Sequence, residues 1–326
     1  MFVPTLPVRL HHFPAGIPTT VPLAVSTAAL VRAAVTVGKP PLAVSLGGTA
    51  LIPGPTRRAY IDVAWRALLV RAHLRARGSY WVRSAAYDAL DPSEKSAVSY
   101  FLGNTQAKLT SELVLGIPHL VHLDTLLAAL GTPTRRSRPD FLGCDALGRV
   151  APVAIEAKGR TRAYTEELAA RAKNQARKIP AIQGLATPMA VSSIAWFDGD
   201  VWQARLEDPP ARRGMEYDVA SAVVAYYLPI ALAIFQAGDG SSAVAEVPEA
   251  DMTLSLAEPI AAAMEPITAG APLADVRQSA FEKIRAYLAT IAEQESTERY
   301  RPEGVQGAQS STGLDQVTVS LGPSWG

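Results

Sequence analysis

The chain has 326 residues, 48% hydrophobic and 19% charged, with a formal net charge of +1 and one cysteine, Cys144. A single thiol excludes an intramolecular disulfide framework and a cysteine-rich zinc site. The length is ample for a buried core in one large or two modest domains.

From the N-terminus, Pro14 to Val31 carries no charge, but it is broken by Pro18 and Pro22 and closed by Arg32. It is too short and too interrupted for a membrane span, and no clean apolar stretch after Arg9 reads as a secretory signal. The cytoplasm is the expected location, with no membrane partner. His11 and His12 fall in a Pro-rich, loosely held start. A helix is expected from about Tyr60 to Arg77, and residues 1–90 are expected to be an N-terminal accessory segment, open to forming a lobe of its own. Tyr80 and Trp81 read as core rather than as base-stacking groups.

The next helix is well signposted. Asp91 is its N-cap, Pro92 its first position and Glu94 the partner of a capping box, with Gly116 and Pro118 ending it. Val98, Leu102, Leu109 and Leu113 share one face. Glu112 borders that face, so it either leans toward a sheet or sits at the helix edge. In the apolar segment that follows, His119 and His122, near Asp124, read as hydrogen-bonded core or boundary groups rather than metal ligands.

The stretch from Arg138 to Arg160 reads differently. Val150 to Ile155 is apolar apart from Pro152, as a strand buried on both faces would be, and charge appears only where it ends. Glu156 and Lys158 then project to one face, with Ala157 on the other. Asp145-Ala146-Leu147-Gly148 supplies turn residues, so Phe141-Leu142 and Val150 to Ile155 form a hairpin. That fold-back sets Asp140 beside Glu156. Two adjacent carboxylates raise each other's pKa unless a divalent cation sits between them. Carboxylate oxygens and retained waters suit Mg²⁺, with Mn²⁺ as a compatible substitute. An adjacent ammonium can then orient the attacking water and screen developing charge. The competing reading is a surface salt bridge between Glu156 and Lys158 on a strand edge, which the apolar run before them disfavours.

These residues resemble the PD-(D/E)xK phosphodiesterase superfamily: Pro139-Asp140 matches its PD element, and Glu156-Ala157-Lys158 its ExK element. The resemblance implies a mixed central sheet flanked by helices, with Asp140 and Glu156 as metal ligands and Lys158 as the catalytic lysine. It also implies an acid from the preceding helix, for which Glu112 is the candidate metal ligand. A polar residue from the following helix is expected too, with Gln175 as the catalytic candidate.

After the strand, Thr165 can cap a helix running to Lys178 and stopped by Pro180. Met189 to Phe197 and Val201 to Arg205 read as strands joined by a hairpin turn at Asp198-Gly199-Asp200. Tyr217 to Phe235 reads as a buried helix interrupted at Pro229, and Gly238 to Ser242 as a linker. Beyond it lie an amphipathic helix, Leu273 to Ile291, and a terminal strand, Gln316 to Leu321.

Charge is uneven along this order. Arg135 to Lys178 holds eleven Lys or Arg against five Asp or Glu, whereas Asp239 to Gly326 holds five against thirteen. Arg136, Arg138, Arg160, Arg162 and Lys178 are therefore the candidate contacts to a phosphate backbone. The expected architecture is α/β, with a restriction-endonuclease-like core at 91–238, a mixed central sheet flanked by helices. Accessory segments flank it at both ends, the second an acidic C-terminal region at 239–326. The expected activity is Mg²⁺-dependent deoxyribonuclease, compatible with restriction, phage defence or repair. The alternative keeps the fold without chemistry, as a nucleic-acid-binding or assembly module in a multi-protein complex. DNA is the expected partner, and other protein subunits or a second copy of the chain are compatible.

Overall fold

A computed structural model describes residues 3–13, 17–38, 58–129, 138–178, 189–208, 218–237, 243–297 and 309–325. In chain order its elements begin with β1 (Thr5–His11), β2 (Thr20–Ala24), α1 (Thr27–Thr36), α2 (Arg58–His73), β3 (Leu74–Arg77), β4 (Tyr80–Arg83) and α3 (Ala85–Ala89). They continue with α4 (Pro92–Leu113), β5 (His119–His122), α5 (Leu123–Ala129), β6 (Phe141–Cys144), β7 (Val153–Gly159), α6 (Glu166–Ala176), β8 (Met189–Asp198), β9 (Val201–Glu207) and α7 (Val219–Ala237). The last are β10 (Val244–Val247), β11 (Met252–Leu256), α8 (Glu258–Thr268), α9 (Leu273–Thr297), β12 (Ser310–Thr312) and β13 (Val317–Leu321).

The nine strands β1 to β9 form one mixed sheet flanked by helices, in the order β2-β1-β4-β9-β8-β7-β6-β5, with β1 also pairing β9 and β3 pairing β4. The expected hairpin is β6–β7, in register Phe141↔Ile155, Leu142↔Ala154 and Gly143↔Val153, but its second strand begins at Val153 rather than Val150, so the connection is longer than the expected turn. β7 and β8 run parallel, so the chain between them must cross over, and α6 is that crossover. β8 returns antiparallel into β9 through a turn in which Gly199 takes a positive φ of 58°, a conformation that glycine adopts without strain. The apolar centres of β7 and β8 follow from their cover: α4 packs on one face and α6 on the other.

Side-chain parity assigns the two faces. Ser193 Oγ donates to Gln106 of α4 at 3.0 Å, whereas Ile194 and Trp196 pack against Ala169 and Ala172 of α6. Even-numbered residues of β8 therefore face α6, and through the register Glu156↔Ser192 and Lys158↔Ile194, so do Glu156 and Lys158.

The capping box of α4 is complete. Asp91 accepts from the backbone N–H groups of Ser93 and Glu94 at 2.6 and 2.9 Å, and Glu94 accepts from Asp91 N–H at 3.0 Å. Leu113, expected inside, is exposed, while the polar residues from Asn104 to Glu112 are all buried. α4 lies between the sheet and α1, so even its polar flank is covered. Close approach to β7 needs two glycines: a Cβ on Gly159 would fall 1.6 Å from Ser99 O, and one on Gly103 would fall 2.5 Å from Gly159 N.

The N-terminal segment is not a separate lobe. β1 pairs parallel with β9, from Val8↔Ala204 to His11↔Glu207, and antiparallel with β2. His11 thus ends a sheet strand rather than sitting in a loose start. The helix expected through Arg77 stops at His73, and its last four residues pair with β4 as β3. Trp81 is buried and donates from its indole to Val25 O at 2.9 Å, while Tyr80 is exposed. The expected linker at 238–242 lies outside the described residues.

C-terminal residues build a second, four-stranded antiparallel sheet, β10-β11-β13-β12. Its turn between β12 and β13 drives Asp315 into the core, fully buried. There Asp315 meets Arg32 at 3.2 Å and Lys108 at 3.0 Å, and Glu112 receives two hydrogen bonds from the same Arg32 at 3.0 and 3.1 Å. Two cations thus balance two anions out of water. α7 is the one described helix long and apolar enough to cross a membrane, and most of it is buried within this domain.

Candidate functional site

Asp140 directly precedes β6, and one step beyond the pair Phe141↔Ile155 sets it opposite Glu156 on the same face. Its carboxylate accepts from Ala157 N–H at 3.0 Å, which locks it against β7. Glu156 is fully buried, and its charge is met by an ion pair with Lys158. A carboxylate buried this deeply is costly unless it is paired. Burial first, and the neighbouring Asp140 second, push its carboxyl up to about 8 against the pull of Lys158. Burial likewise raises Asp140, opposed by Lys158 and by the Ala157 N–H.

Lys158 extends from the strand end toward α6, where its ammonium donates to Gln175 Oε1 at 3.4 Å. Gln175 is fixed in turn, donating from Nε2 to the Arg138 carbonyl at 3.0 Å. The Thr165 hydroxyl, accepting from Leu168 N–H at 3.3 Å, caps α6 as expected. Asp140, Glu156, Lys158 and Gln175 therefore meet at the ends of β6, β7 and α6.

Glu112 does not join them. It is held in the buried cluster by Arg32, by Lys108 at 3.3 Å and by Leu314 N–H at 2.8 Å. The helical spacing left two placements open, and the partner that decided between them, Arg32, is eighty residues away in sequence. Among the described residues no group of three or more His, Cys, Asp or Glu is placed to hold a metal. The site offers two carboxylates side by side, Glu156 fully buried and Asp140 also accepting from a backbone N–H. That donor set fits a hard cation which keeps several waters, as Mg²⁺ does, and fits poorly a cation needing an all-protein cage.

Of the basic candidates, Arg160, Arg162 and Lys178 are exposed. Arg138 is ion-paired with Asp124 and only 21% of its side chain is exposed, so its charge is already committed within the fold. Arg136 lies outside the described residues. His119 is fully buried, with Nδ1 3.2 Å from Cys144 O and Nε2 3.0 Å from the Tyr227 hydroxyl, a core histidine as expected.

Two neighbours of the site escaped sequence reasoning. Ser192, opposite Glu156 on β8, is fully buried with its hydroxyl lacking a partner. Further along the same row, Glu207 of β9 binds Arg205 at 2.6 Å, and Lys173 of α6 approaches it at 3.8 Å. Strand alternation places these residues on a face, but which strand lies beside which is set only by tertiary pairing.

Comparison with known proteins gave no match: no family model, no curated protein and no solved structure matches the chain.

Proposed function

We propose that this protein is a metal-dependent deoxyribonuclease of PD-(D/E)xK type, with its active site at Asp140, Glu156 and Lys158. The observation that carries the reading is the convergence of these three groups on one face, with the Glu156 carboxylate fully buried beside Asp140 and Lys158. Asp140 and Glu156 would hold the cation, Mg²⁺ or Mn²⁺, which when bound supplies Lewis acidity and a more acidic water. Lys158 orients the nucleophilic water and offers its positive charge to the phosphate as negative charge accumulates. Gln175 keeps the Lys158 ammonium at the strand end. Arg160, Arg162 and Lys178 bind the phosphate backbone without regard to sequence. A cytoplasmic setting and a role in restriction, phage defence or repair are compatible with this chemistry.

A second reading is favoured by one specific observation. The charges at the site are already met internally, Asp140 by the Ala157 N–H and Glu156 by Lys158, as suits a nucleic-acid-binding or assembly module that has kept the fold without the reaction.

Cleavage of supercoiled plasmid and of single-stranded DNA with Mg²⁺, Mn²⁺ or EDTA separates the two. Metal-dependent cutting is expected from the wild type, with a loss of at least about a hundredfold in Asp140→Ala and in Lys158→Ala. No cutting alongside intact, salt-sensitive DNA binding would sink the enzyme and favour the module.

A further inference from the structure

Large aromatic rings left on a surface are informative when they are contiguous and held rigid. On α2, the exposed residues Ile61, Trp65 and Leu68 are spaced i, i+4 and i+7, so they share one helix face. The Trp65 ring stands edge-on to Phe101 of α4, with centroids 4.6 Å apart and planes at 85°. Phe101 stands edge-on to Tyr100 at 5.2 Å and 77°. The Arg66 guanidinium sits over Phe101, 5.9 Å from the ring centroid. The result is a chain of three rings whose outer members, Trp65 and Tyr100, are 42% and 41% exposed.

Its position matters more than its composition. α4 crosses β7 where Gly159 lets the backbones touch, and Tyr100 N lies 3.0 Å from where a Cβ on Gly159 would sit. Tyr100 therefore stands beside the residue that follows Lys158, and the exposed Arg160 and Arg162 come next in the chain. Asp62, the acid on the same stretch of α2, is bound by Arg66 at 2.6 Å, so its charge is offset. An apolar aromatic strip that borders a strand end followed by two exposed arginines suits a flexible polyanion with flat apolar faces better than it suits an apolar protein surface.

We propose that Tyr100 and Trp65 form a stacking platform for the bases of a single-stranded nucleic acid, with its phosphates running past Arg160 and Arg162. A duplex buries the faces of its bases, so only a single strand or a frayed end can offer them to these rings. Stacking needs no hydrogen-bond match and tolerates any sequence. The path onward to Asp140, Glu156 and Lys158 rests on the nuclease reading, but the binding does not.

The test is fluorescence anisotropy in EDTA, with a labelled oligothymidylate and a duplex of the same length. Wild type is expected to bind the single strand, and Tyr100→Ala and Tyr100→Leu to bind it about tenfold more weakly, the loss of about one stacked base. Tyr100→Phe keeps the affinity, and duplex binding is unchanged in all three. No binding of the single strand by wild type, no loss in the Ala and Leu variants, or an equal loss on duplex would overturn the proposal. The second of these outcomes would leave the strip to a protein partner. Cleavage with Mg²⁺ is scored separately. Cutting without a Tyr100 effect sinks the platform alone, and a Tyr100 effect without cutting sinks the nuclease alone.

Discussion

His119 and Glu156 are both fully buried and both titrate away from their ordinary values, in directions that burial dictates. Burial disfavours the charged imidazole and lowers His119 to about 4; Asp315 opposes this shift, and Lys108 adds to it. The unfolded chain protonates this histidine near 6.5 and the folded protein near 4. The stability tied to it is therefore complete above about pH 6.5 and lost progressively down to about pH 4, to the extent of about 3 kcal/mol. Urea unfolding at about pH 7 and about pH 4.5 should show the wild type losing more on acidification than His119→Gln, and parallel losses would refute the assignment. Glu156 behaves in the opposite sense. Its neutral form is the one the fold favours, so its contribution is complete below about 4.5 and declines as pH rises toward 8.

Among elements, α4 and β7 do most to shape the site, and their contact depends on two absent side chains. Gly103 and Gly159 let a helix lie on a strand at backbone distance, which fixes where Lys158 leaves the sheet. The obstacle to Gly159→Ala is a backbone carbonyl 1.6 Å away, which no rotamer change can clear. Gly159→Ala should lower stability by about 3 kcal/mol, the upper end of overpacking costs. Gly148→Ala, whose glycine has open space around it and a φ of 70°, should cost only about 1–2 kcal/mol. Thermal unfolding of the two variants side by side checks this, and equal losses would mean that the close approach is not a constraint. The cap residues of α4 and α6, the β6–β7 hairpin and the β8–β9 turn were legible because each is a local arrangement of a few residues. The boundary between α2 and β3 was not, since Leu74 to Arg77 lack a strand pattern of their own and become a strand only by pairing with β4.

For the whole molecule, the buried cluster of Arg32, Lys108, Glu112 and Asp315 joins three distant parts of the chain: α1, α4 and the β12–β13 turn. Burial alone would raise Asp315, yet Lys108 and Arg32 hold it well below the usual carboxylate range, with the Tyr226 hydroxyl adding a hydrogen bond. Breaking such a pair from one side leaves a buried charge uncompensated, at a cost of about 3–5 kcal/mol. Asp315→Ala should lower stability by that amount, and melting monitored through both the tryptophans and the helical signal should still show one transition. Two transitions, or a loss below about 1 kcal/mol, would mean that the C-terminal sheet is an appendage rather than part of the core.

The sequence by itself determined the nearest-neighbour facts: the capped helices, the hairpin that sets Asp140 opposite Glu156, the shared face of Glu156 and Lys158, and the α/β class. Helix caps, turn residues and the twofold alternation of a strand all act within a few residues, so they can be read without knowing what lies opposite. Only the tertiary structure decided that β1 joins the sheet, that Gln175 rather than Glu112 reaches the site, that Arg138 is committed to Asp124, and that Tyr100 stands beside Gly159. Each of these depends on which distant segment supplies a partner. The energy of a buried charge or an exposed ring is set by that partner, and local patterning carries no trace of it.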